Sequence, residues 1–237
     1  MDYHPFKARL NRFLMRHVGG DQRPVFFGIE ETYPALGRVT RAYPAIHEEC
    51  ERILDRREVL PKYHEVDPGE KGIAADGDPD RHWYVFMLYI LGYKPAVNRA
   101  ACPATCEVLD GIPNLVQAFL SILDPGKRVP RHEGPYLGYL RYHLALRVPE
   151  DNPPTLIVNS QKYVWKAGEA VLFDDSWPHE VINESRDLRA VLIADVLRPM
   201  PLLPSLVNRL VMRGLVRPTY GRSVARRAAR SAFLSTG

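Results

Sequence analysis

The chain has 237 residues, of which 46% are hydrophobic and 25% are charged, and its formal net charge is +4. This composition excludes a disordered chain, and no apolar run is long enough to predict a membrane-spanning helix. Residues 1–16 lack the apolar core of a signal peptide, and three cysteines do not make a disulfide framework, so we expect a cytoplasmic protein.

The basic charge is concentrated at the C-terminal end of the chain. After Asp195 the sequence has eight arginines and no acidic residue. Without those eight charges the net charge of +4 becomes −4, so the preceding part of the chain is mildly acidic. We therefore expect no nucleic-acid-binding function.

The first 80 residues predict a mainly helical segment. Apolar residues repeat at helical spacing over residues 3–17 and 40–60, and a short strand is predicted over residues 24–29. Residues 66–81 are rich in Gly, Asp and Pro, which indicates a loop.

From residue 82 onward, strand patterns become frequent. Aromatic and β-branched residues predict a strand over residues 82–93, and residues 106–117 predict a helix interrupted near Gly111. Further short strands, separated by turns, are predicted over residues 118–123, 139–148, 155–158, 162–165, 170–173, 179–183 and 189–197. This rhythm is typical of an all-β sandwich or jelly roll with helices packed outside it.

The sequence predicts one domain and a C-terminal extension. The domain covers residues 1–200, with a helical part over residues 1–80 and a β core over residues 82–200. The basic extension covers residues 201–237.

The extension predicts a helix over residues 204–230 with leucines on one side. Two interpretations stay open at this point. Either Leu206, Leu210 and Leu215 dock on the β core, or the basic helix lies on the inner face of an anionic membrane.

Cys102-x3-Cys106 has a spacing that occurs in metal sites, but no second Cys or His pair lies near it in the sequence. We therefore interpret this segment as the start of a helix.

His132 and His179 are the candidate metal ligands. Imidazole binds iron, zinc, copper and nickel, and each of the two residues lies beside a predicted strand. A third carboxylate ligand is expected two residues after the first histidine, but Gly134 stands there, and Glu133 would point to the opposite face. The alternative is that each histidine is a polar residue at the rim of the core.

Arg141 and His143 share one face of a predicted strand with Tyr139, because side chains alternate along a strand. A guanidinium binds a carboxylate through two parallel hydrogen bonds, so Arg141 and Arg189 are candidate anion ligands. If this face pointed to solvent instead, Leu140, Tyr142 and Leu144 would make the core.

The order and spacing of these residues resemble the aspartyl/asparaginyl β-hydroxylases and the related bacterial lipid A hydroxylases. The resemblance covers about residues 80–200 and rests on four motifs. They are Ser121-x10-His132-Glu-Gly-Pro, Arg141-x-His143, Phe-Asp-Asp-Ser-Trp-Pro-His179-Glu with Arg189 after it, and Asp195-Val-x-Arg-Pro.

The resemblance implies a double-stranded β-helix of the cupin type and a hydroxylase that uses Fe(II), 2-oxoglutarate and O2. It implies that His132 and His179 hold the iron without a carboxylate, as in the aspartyl branch, where Gly replaces the acid. Ser121 and Arg189 would hold the far carboxylate of 2-oxoglutarate. The same resemblance implies three catalytic residues, His132, His179 and Arg189.

Arg141 and His143 would also line the 2-oxoglutarate site. Asp174 and Asp175 either orient His179 or serve the structure alone.

The resemblance leaves the substrate open. It implies an Asp- or Asn-like group on a peptide or small molecule, or the acyl chain of a lipid. Tyr139 stands where animal members have a substrate-binding arginine, which argues against an aspartyl side chain. A further alternative is a non-enzymatic cupin-like module that binds a small carboxylate.

Overall fold

Helices dominate the first 110 residues of the computed structural model, which describes residues 4–74 and 79–230. The α-helices of this part are α1 (His4–Met15), α2 (Ile29–Thr32), α3 (Gly37–Arg41), α4 (Tyr43–Leu54), α5 (Tyr63–Val66), α6 (Lys71–Ala74), α7 (Ala96–Ala101) and α8 (Pro103–Asp110). Short 3-10 helices lie at Gly20–Gln22, Pro34–Leu36, Arg57–Val59 and Pro68–Glu70.

Two antiparallel sheets form the core. Their strands are β1 (Phe26–Phe27), β2 (Trp83–Ile90), β3 (Leu115–Leu123), β4 (Val129–His132), β5 (Tyr139–Arg147), β6 (Thr155–Val158), β7 (Gln161–Val164), β8 (Ala170–Phe173), β9 (His179–Ile182) and β10 (Arg189–Leu197). The larger sheet has the order β1-β8-β5-β10-β3-β2, and the smaller has the order β4-β9-β6-β7. The predicted fold, mainly β in a jelly roll with flanking helices, is confirmed.

The strand β10 divides the core into two layers, because its side chains alternate between the faces of the larger sheet. Leu192 and Ala194 pack in one hydrophobic cluster with Ile46 of α4. Val191 and Ile193 pack in a second cluster, which joins the larger sheet to Val181 of the smaller sheet and so lies between the sheets. Side chains on this second face therefore point into the space between the sheets.

Several predicted boundaries in the N-terminal half are wrong. The predicted strand over residues 24–29 is reduced to β1, since α2 begins at Ile29. The predicted loop over residues 66–81 contains short helices up to Ala74, and the side chain of Asp67 accepts a hydrogen bond of 3.0 Å from the backbone N–H of Gly69. Residues 75–78 of that loop lie outside the described residues.

Two further errors concern the β core. The helix predicted over residues 106–117 ends at Asp110, and β3 begins at Leu115, because pairing with β2 and β10 on both sides overrides the helical pattern. The strand β4, which contains Pro130 and is only four residues long, is absent from the predicted strands. Proline removes a backbone donor, so a short edge strand with proline gives little signal.

The cysteine segment is the start of a helix, as predicted. Glu49 accepts hydrogen bonds from the backbone N–H of Ala104 (2.8 Å), and from the backbone N–H (2.9 Å) and Oγ1 (2.6 Å) of Thr105. These groups belong to the first turn of α8, where backbone donors have no partner within the helix. Cys102 and Cys106 are free and buried beside this cap.

The C-terminal extension is helical over its described residues. It consists of α9 (Leu202–Val211), a π-helical segment (Met212–Gly221) and α10 (Arg222–Arg230). The extension docks on the rest of the chain through buried side chains of Asn208, Met212, Val224 and Ala228.

The three leucines that were expected to dock on the β core are not buried. Leu206 and Leu210 are exposed and Leu215 is half-buried, so the docking interpretation is wrong for the first two. The described residues include no helix with the length and apolar character needed to cross a membrane.

Candidate active site

The two candidate metal ligands lie side by side on neighbouring strands of the smaller sheet. His132 ends β4, His179 begins β9, and the two residues are direct register partners. Their ring centroids are 4.1 Å apart, and the ring planes are inclined by 52°. The fold therefore brings together two imidazoles that are distant in sequence.

Both rings are held in the form that suits a metal ligand. The Nδ1 atom of His132 lies 2.8 Å from the carbonyl oxygen of Pro130, and that of His179 lies 2.9 Å from the carbonyl oxygen of Trp177. Because a carbonyl oxygen only accepts, each Nδ1 carries the proton and donates it. The lone pair on each Nε2 is then available.

Burial also keeps the two imidazoles neutral. It lowers the pKa of His132, and it lowers the pKa of His179 to about 3, where the neighbouring His132 adds to the effect. Neutral imidazole is the protonation state that binds metals.

A carboxylate lies beside Gly134, at the place where the third ligand is absent from the sequence motif. A Cβ atom on Gly134 would lie 2.6 Å from Cγ of Asp175, so this carboxylate fills the space of a side chain there. The backbone N–H of Gly134 donates to the carbonyl oxygen of Asp175 at 2.8 Å. Within the described residues, no three His, Cys, Asp or Glu side chains are close enough to enclose a metal ion.

Asp175 is fully buried, and burial raises its pKa to about 7. Its Oδ2 accepts a hydrogen bond of 3.1 Å from the hydroxyl of Tyr139 and lies 3.2 Å from Nη1 of Arg141. Its Oδ1 has no hydrogen-bond partner in the described part of the chain. One acceptor therefore remains available next to the histidine pair.

Arg141 lies in the site, but carboxylates of the protein occupy much of its guanidinium. Its Nε and Nη2 each donate to Asp195 at 2.8 Å, which makes a bidentate pair. Asp195 also accepts a hydrogen bond of 2.6 Å from Gln117 on β3. Asp195 is the register partner of both residues, so the three side chains form a ladder across the larger sheet.

Arg189 is a buried cation without a carboxylate partner among the described residues. Its Nη1 donates to Oγ of Ser121 at 3.3 Å, and its Nε has no hydrogen-bond partner in the described part of the chain. Trp83 donates to the same Ser121 Oγ at 2.9 Å. Burial lowers the pKa of Arg189 to about 9. An uncompensated buried charge is costly, so the surroundings of Arg189 are suited to an anion.

His143 lies between Arg189 and the histidine pair and has unused polar atoms. Neither of its ring nitrogens has a hydrogen-bond partner in the described residues. Its ring stacks on Trp165 at 5.9 Å and meets the edge of Phe173 at 5.0 Å. Burial, followed by the charge of Arg189, holds the pKa of His143 well below its usual value. Buried polar atoms without partners are rare and indicate a ligand site.

The two aromatic rings beside His143 also contact Arg189 on one side and His179 on the other. The guanidinium of Arg189 lies 4.3 Å from the Trp165 ring centroid, and Phe173 lies 6.1 Å from His179. Trp165 Nε1 has no hydrogen-bond partner in the described residues. The predicted site residues Ser121, His143 and Arg189 thus lie close together, and ring contacts through Trp165 and Phe173 connect them to His179.

Comparison with known protein families identifies the family of this chain. Residues 40–199 match the family model described as Aspartyl/Asparaginyl beta-hydroxylase. The chain belongs to this family. The resemblance predicted from the sequence motifs is therefore confirmed.

Two similar proteins have different substrates in their names. An ornithine lipid ester-linked acyl 2-hydroxylase from Rhizobium tropici is 38% identical over 182 residues, which cover 76% of this chain and 63% of that protein. The human aspartyl/asparaginyl beta-hydroxylase is 33% identical over 140 residues, which cover 56% of this chain and 17% of that protein. The chain thus spans less than two thirds of the length of either relative.

Solved structures with similar folds include a prolyl-4-hydroxylase from Pseudomonas putida, with a TM-score of 0.46 and 17% identity. That match covers 82% of this chain and 100% of the other. A cupin domain of a transcriptional regulator from Enterobacter cloacae has a TM-score of 0.35 at 14% identity, and the match covers 49% of this chain and 98% of the other.

The Asp-Asp pair of this β-hydroxylase family member has two separate roles. Asp175 faces the site, whereas Asp174 braces the turn that precedes His179. Asp174 Oδ2 pairs with Nε of Arg23 at 2.9 Å and with Nη2 of Arg198 at 2.5 Å, and its Oδ1 accepts from the Ser176 backbone N–H at 3.1 Å. The guanidinium of Arg23 also lies 3.7 Å from the Trp177 ring centroid.

Arg23 is absent from the predicted site residues, and the sequence predicts no role for Asp195 or Trp165. Arg23 lies outside the segment that matches the family. For Asp195 a signal existed, because an acidic residue within the long apolar run of β10 requires a partner when it is buried.

Proposed function

We propose that this member of the aspartyl/asparaginyl β-hydroxylase family is a hydroxylase that depends on Fe(II), 2-oxoglutarate and O2. One observation carries the proposal. A buried guanidinium without a carboxylate partner in the described residues, that of Arg189, is linked through the rings of Trp165, His143 and Phe173 to two facing neutral imidazoles.

The donor set fits iron. His132 and His179 would hold the ion through Nε2, since each Nδ1 proton is donated to a carbonyl oxygen. Imidazole nitrogen suits iron, and two protein ligands leave several coordination positions for other ligands. Iron bound there supplies the activation of dioxygen. The roles of these residues, and the dependence on iron, stay predictions.

The side chains around Arg189 fit one carboxylate of a dicarboxylate. Arg189 and Ser121 would bind the far carboxylate of 2-oxoglutarate, which would compensate the buried positive charge. His143 lies between Arg189 and the histidine pair, where its ring nitrogens, which have no partner in the described residues, can donate to or accept from the bound molecule. Arg141 retains guanidinium protons beyond those given to Asp195, so it can also contact the cosubstrate.

For the primary substrate we favour the acyl chain of a lipid. The Rhizobium tropici relative has this chemistry in its name and shares 38% identity. In addition, the hydroxyl of Tyr139 is bound to Asp175, so the residue at the position of the animal arginine offers no cation to a carboxylate. An Asp- or Asn-like group is the second candidate, which the human relative at 33% identity supports.

The test measures succinate release from 2-oxoglutarate by the full chain with Fe(II). Two candidate substrates are offered separately, an acyl lipid and an Asp-containing peptide, and mass spectrometry of each product looks for one added oxygen atom. We expect turnover stimulated by the lipid and abolished by His179→Ala. His17→Ala is the matched control, because its ring contacts Phe13 outside the site.

The same experiment excludes or supports the alternative of a non-enzymatic module. Calorimetry that finds 2-oxoglutarate bound, with no succinate released on either substrate, would favour a carboxylate-binding protein. Turnover on the peptide alone would assign the second substrate class.

A further inference from the structure

The helix α9 presents an apolar face to the outside of the molecule. Leu202, Leu203, Leu206 and Leu210 have 78%, 65%, 44% and 72% of their surface exposed. They are four of the eight large hydrophobic side chains that are exposed in the described residues. Their spacings of three, four and seven residues place them on one side of the helix. A contiguous exposed apolar face marks an interaction site more often than scattered single residues do.

The opposite side of α9 already anchors the helix to the domain. Pro204 and Asn208 are buried, and Val207 and Val211 pack in a cluster that includes Leu14 of α1. The fold therefore holds α9 without using its leucines. The leucines are therefore exposed while the helix is packed on the domain through its other side.

Charge indicates the partner of this face. Arg209 is exposed and follows Leu206 by three residues, so it lies beside the leucines. Arg213, also exposed, lies two residues beyond the end of α9. No acidic residue follows Asp195 in the chain. Leucines flanked by arginines suit the surface of a lipid bilayer, where apolar acyl chains lie beneath a layer of anionic headgroups. A second copy of this chain would bring the same arginines together, which disfavours self-association.

We propose that the outward face of α9, formed by Leu202, Leu203, Leu206, Leu210 and Arg209, docks on the surface of an anionic lipid bilayer together with Arg213 of the adjoining π-helical segment. The leucines insert among the acyl chains, and the arginines remain at the level of the headgroups.

The docking face is attached to the loop that borders the histidine pair. Asn208 donates to the carbonyl oxygen of Gly138 at 2.6 Å and accepts from the hydroxyl of Tyr136 at 2.7 Å. The same loop begins after His132, and its Gly134 donates to Asp175 in the site. Docking would therefore bring this edge of the site to the bilayer, and an acyl chain would enter from there. This last step rests on the proposed function.

A second helix fixes the same loop. Asn11 of α1 donates to the carbonyl oxygen of Pro135 at 3.2 Å and accepts from the backbone N–H of Leu137 at 3.2 Å. With contacts from both α1 and α9, the position of the loop relative to the docking face is fixed by hydrogen bonds on two sides.

Vesicle co-sedimentation of the full chain tests the docking face. We expect binding to phosphatidylcholine vesicles that contain phosphatidylglycerol, weaker binding without phosphatidylglycerol, and weaker binding at high salt. The double variant Leu206→Ser/Leu210→Ser should lower the partition coefficient by about tenfold or more, because two inserted side chains are lost. The matched control is Val59→Ser/Val164→Ser, which removes two valines that are 44% and 43% exposed elsewhere in the fold and should leave partitioning unchanged.

Further measurements separate docking from misfolding and from self-association. The melting temperature of each variant in the absence of lipid shows whether it is folded. Equal partitioning of the leucine variant and the wild type overturns the proposal. Absence of vesicle binding by the wild-type chain overturns it too. Sedimentation velocity that finds a dimer dissociated by the leucine substitutions assigns the face to self-association and also overturns it.

Failure of docking and failure of the proposed reaction are distinguishable. A chain that releases succinate with a short-chain soluble acyl substrate but does not bind vesicles retains the reaction and loses the docking face. A chain that binds vesicles through the leucines, but never consumes 2-oxoglutarate, supports the docking face and removes the reaction.

Discussion

Asp195 lies directly opposite Arg141 on the neighbouring strand and accepts two hydrogen bonds of 2.8 Å from its guanidinium. This pair holds Arg141 against the larger sheet, with Nη1 directed at Asp175. The family motif at Asp195 therefore has a physical explanation. Asp195 keeps a partly buried cation in place within the space between the sheets.

Replacing Asp195 with Asn should destabilise the fold. Among the described residues, it leaves the partly buried guanidinium of Arg141 with only Asp175 as an anionic partner, and we expect a loss of about 2–4 kcal/mol in the free energy of unfolding. Urea denaturation measures this loss. Glu48→Gln is the control, because its ion pair with Arg52 is exposed and should contribute less than about 1 kcal/mol. Equal effects of the two substitutions would contradict this account of the pair.

Gly134 should tolerate no side chain while Asp175 is present. A Cβ atom there would lie 2.6 Å from a carboxylate that Tyr139 and Arg141 hold in position, so Gly134→Ala should destabilise by about 1–3 kcal/mol. A double-mutant cycle tests the cause. In an Asp175→Ala background the cost of Gly134→Ala should fall, and a cost that stays the same in both backgrounds would assign it to the backbone instead.

Arg189 should contribute to ligand binding at the expense of stability. Replacing it with Met removes a buried charge that has no carboxylate partner among the described residues, so the melting temperature without ligand should stay the same or rise. In the wild type, 2-oxoglutarate with Fe(II) should raise the melting temperature, whereas Arg189→Met should lose this shift. Differential scanning fluorimetry measures both effects. A large drop in stability without ligand would show that the guanidinium has a structural role.

Arg23 should position His179 through Asp174, although it lies outside the family match. Arg23→Ala loosens the turn over residues 174–178, and we expect the affinity for Fe(II) to fall by about 10-fold or more. Arg41→Ala is the matched control, because the ion pair of Arg41 with Glu30 is exposed. Anaerobic metal titration measures both variants, and restored affinity in Arg23→Lys would support the charge as the cause. Unchanged affinity in Arg23→Ala would mean that Asp174 holds the turn through Arg198 and Ser176 alone.

The sequence predicted the parts of the site that follow from local pattern. Alternation along β5 placed Tyr139, Arg141 and His143 on one face, and the structure has all three directed between the sheets. The jelly roll followed from regularly spaced strands and turns. No local pattern predicts that His132 and His179 face each other, because their pairing joins strands separated by more than forty residues. That prediction came from the order of the motifs.

The remaining features depend on contacts that no local pattern reveals. The partner of Asp174, Arg23, is 151 positions away in the sequence. The exposure of Leu206 and Leu210 reflects a competition for the inner face of α9, which Asn208 and Val207 occupy instead. Helical periodicity identified an apolar side of this helix but could not decide which side packs inward.

The central claim is that His132 and His179 together hold one iron ion beside a 2-oxoglutarate site at Arg189. Anaerobic calorimetry with Fe(II) in the presence of 2-oxoglutarate tests it most directly, with the wild type, His132→Ala, His179→Ala and the control His17→Ala. We expect one ion per chain in the wild type and in His17→Ala, and loss of that binding in each of the other two variants. Wild-type affinity in either His132→Ala or His179→Ala would contradict the claim.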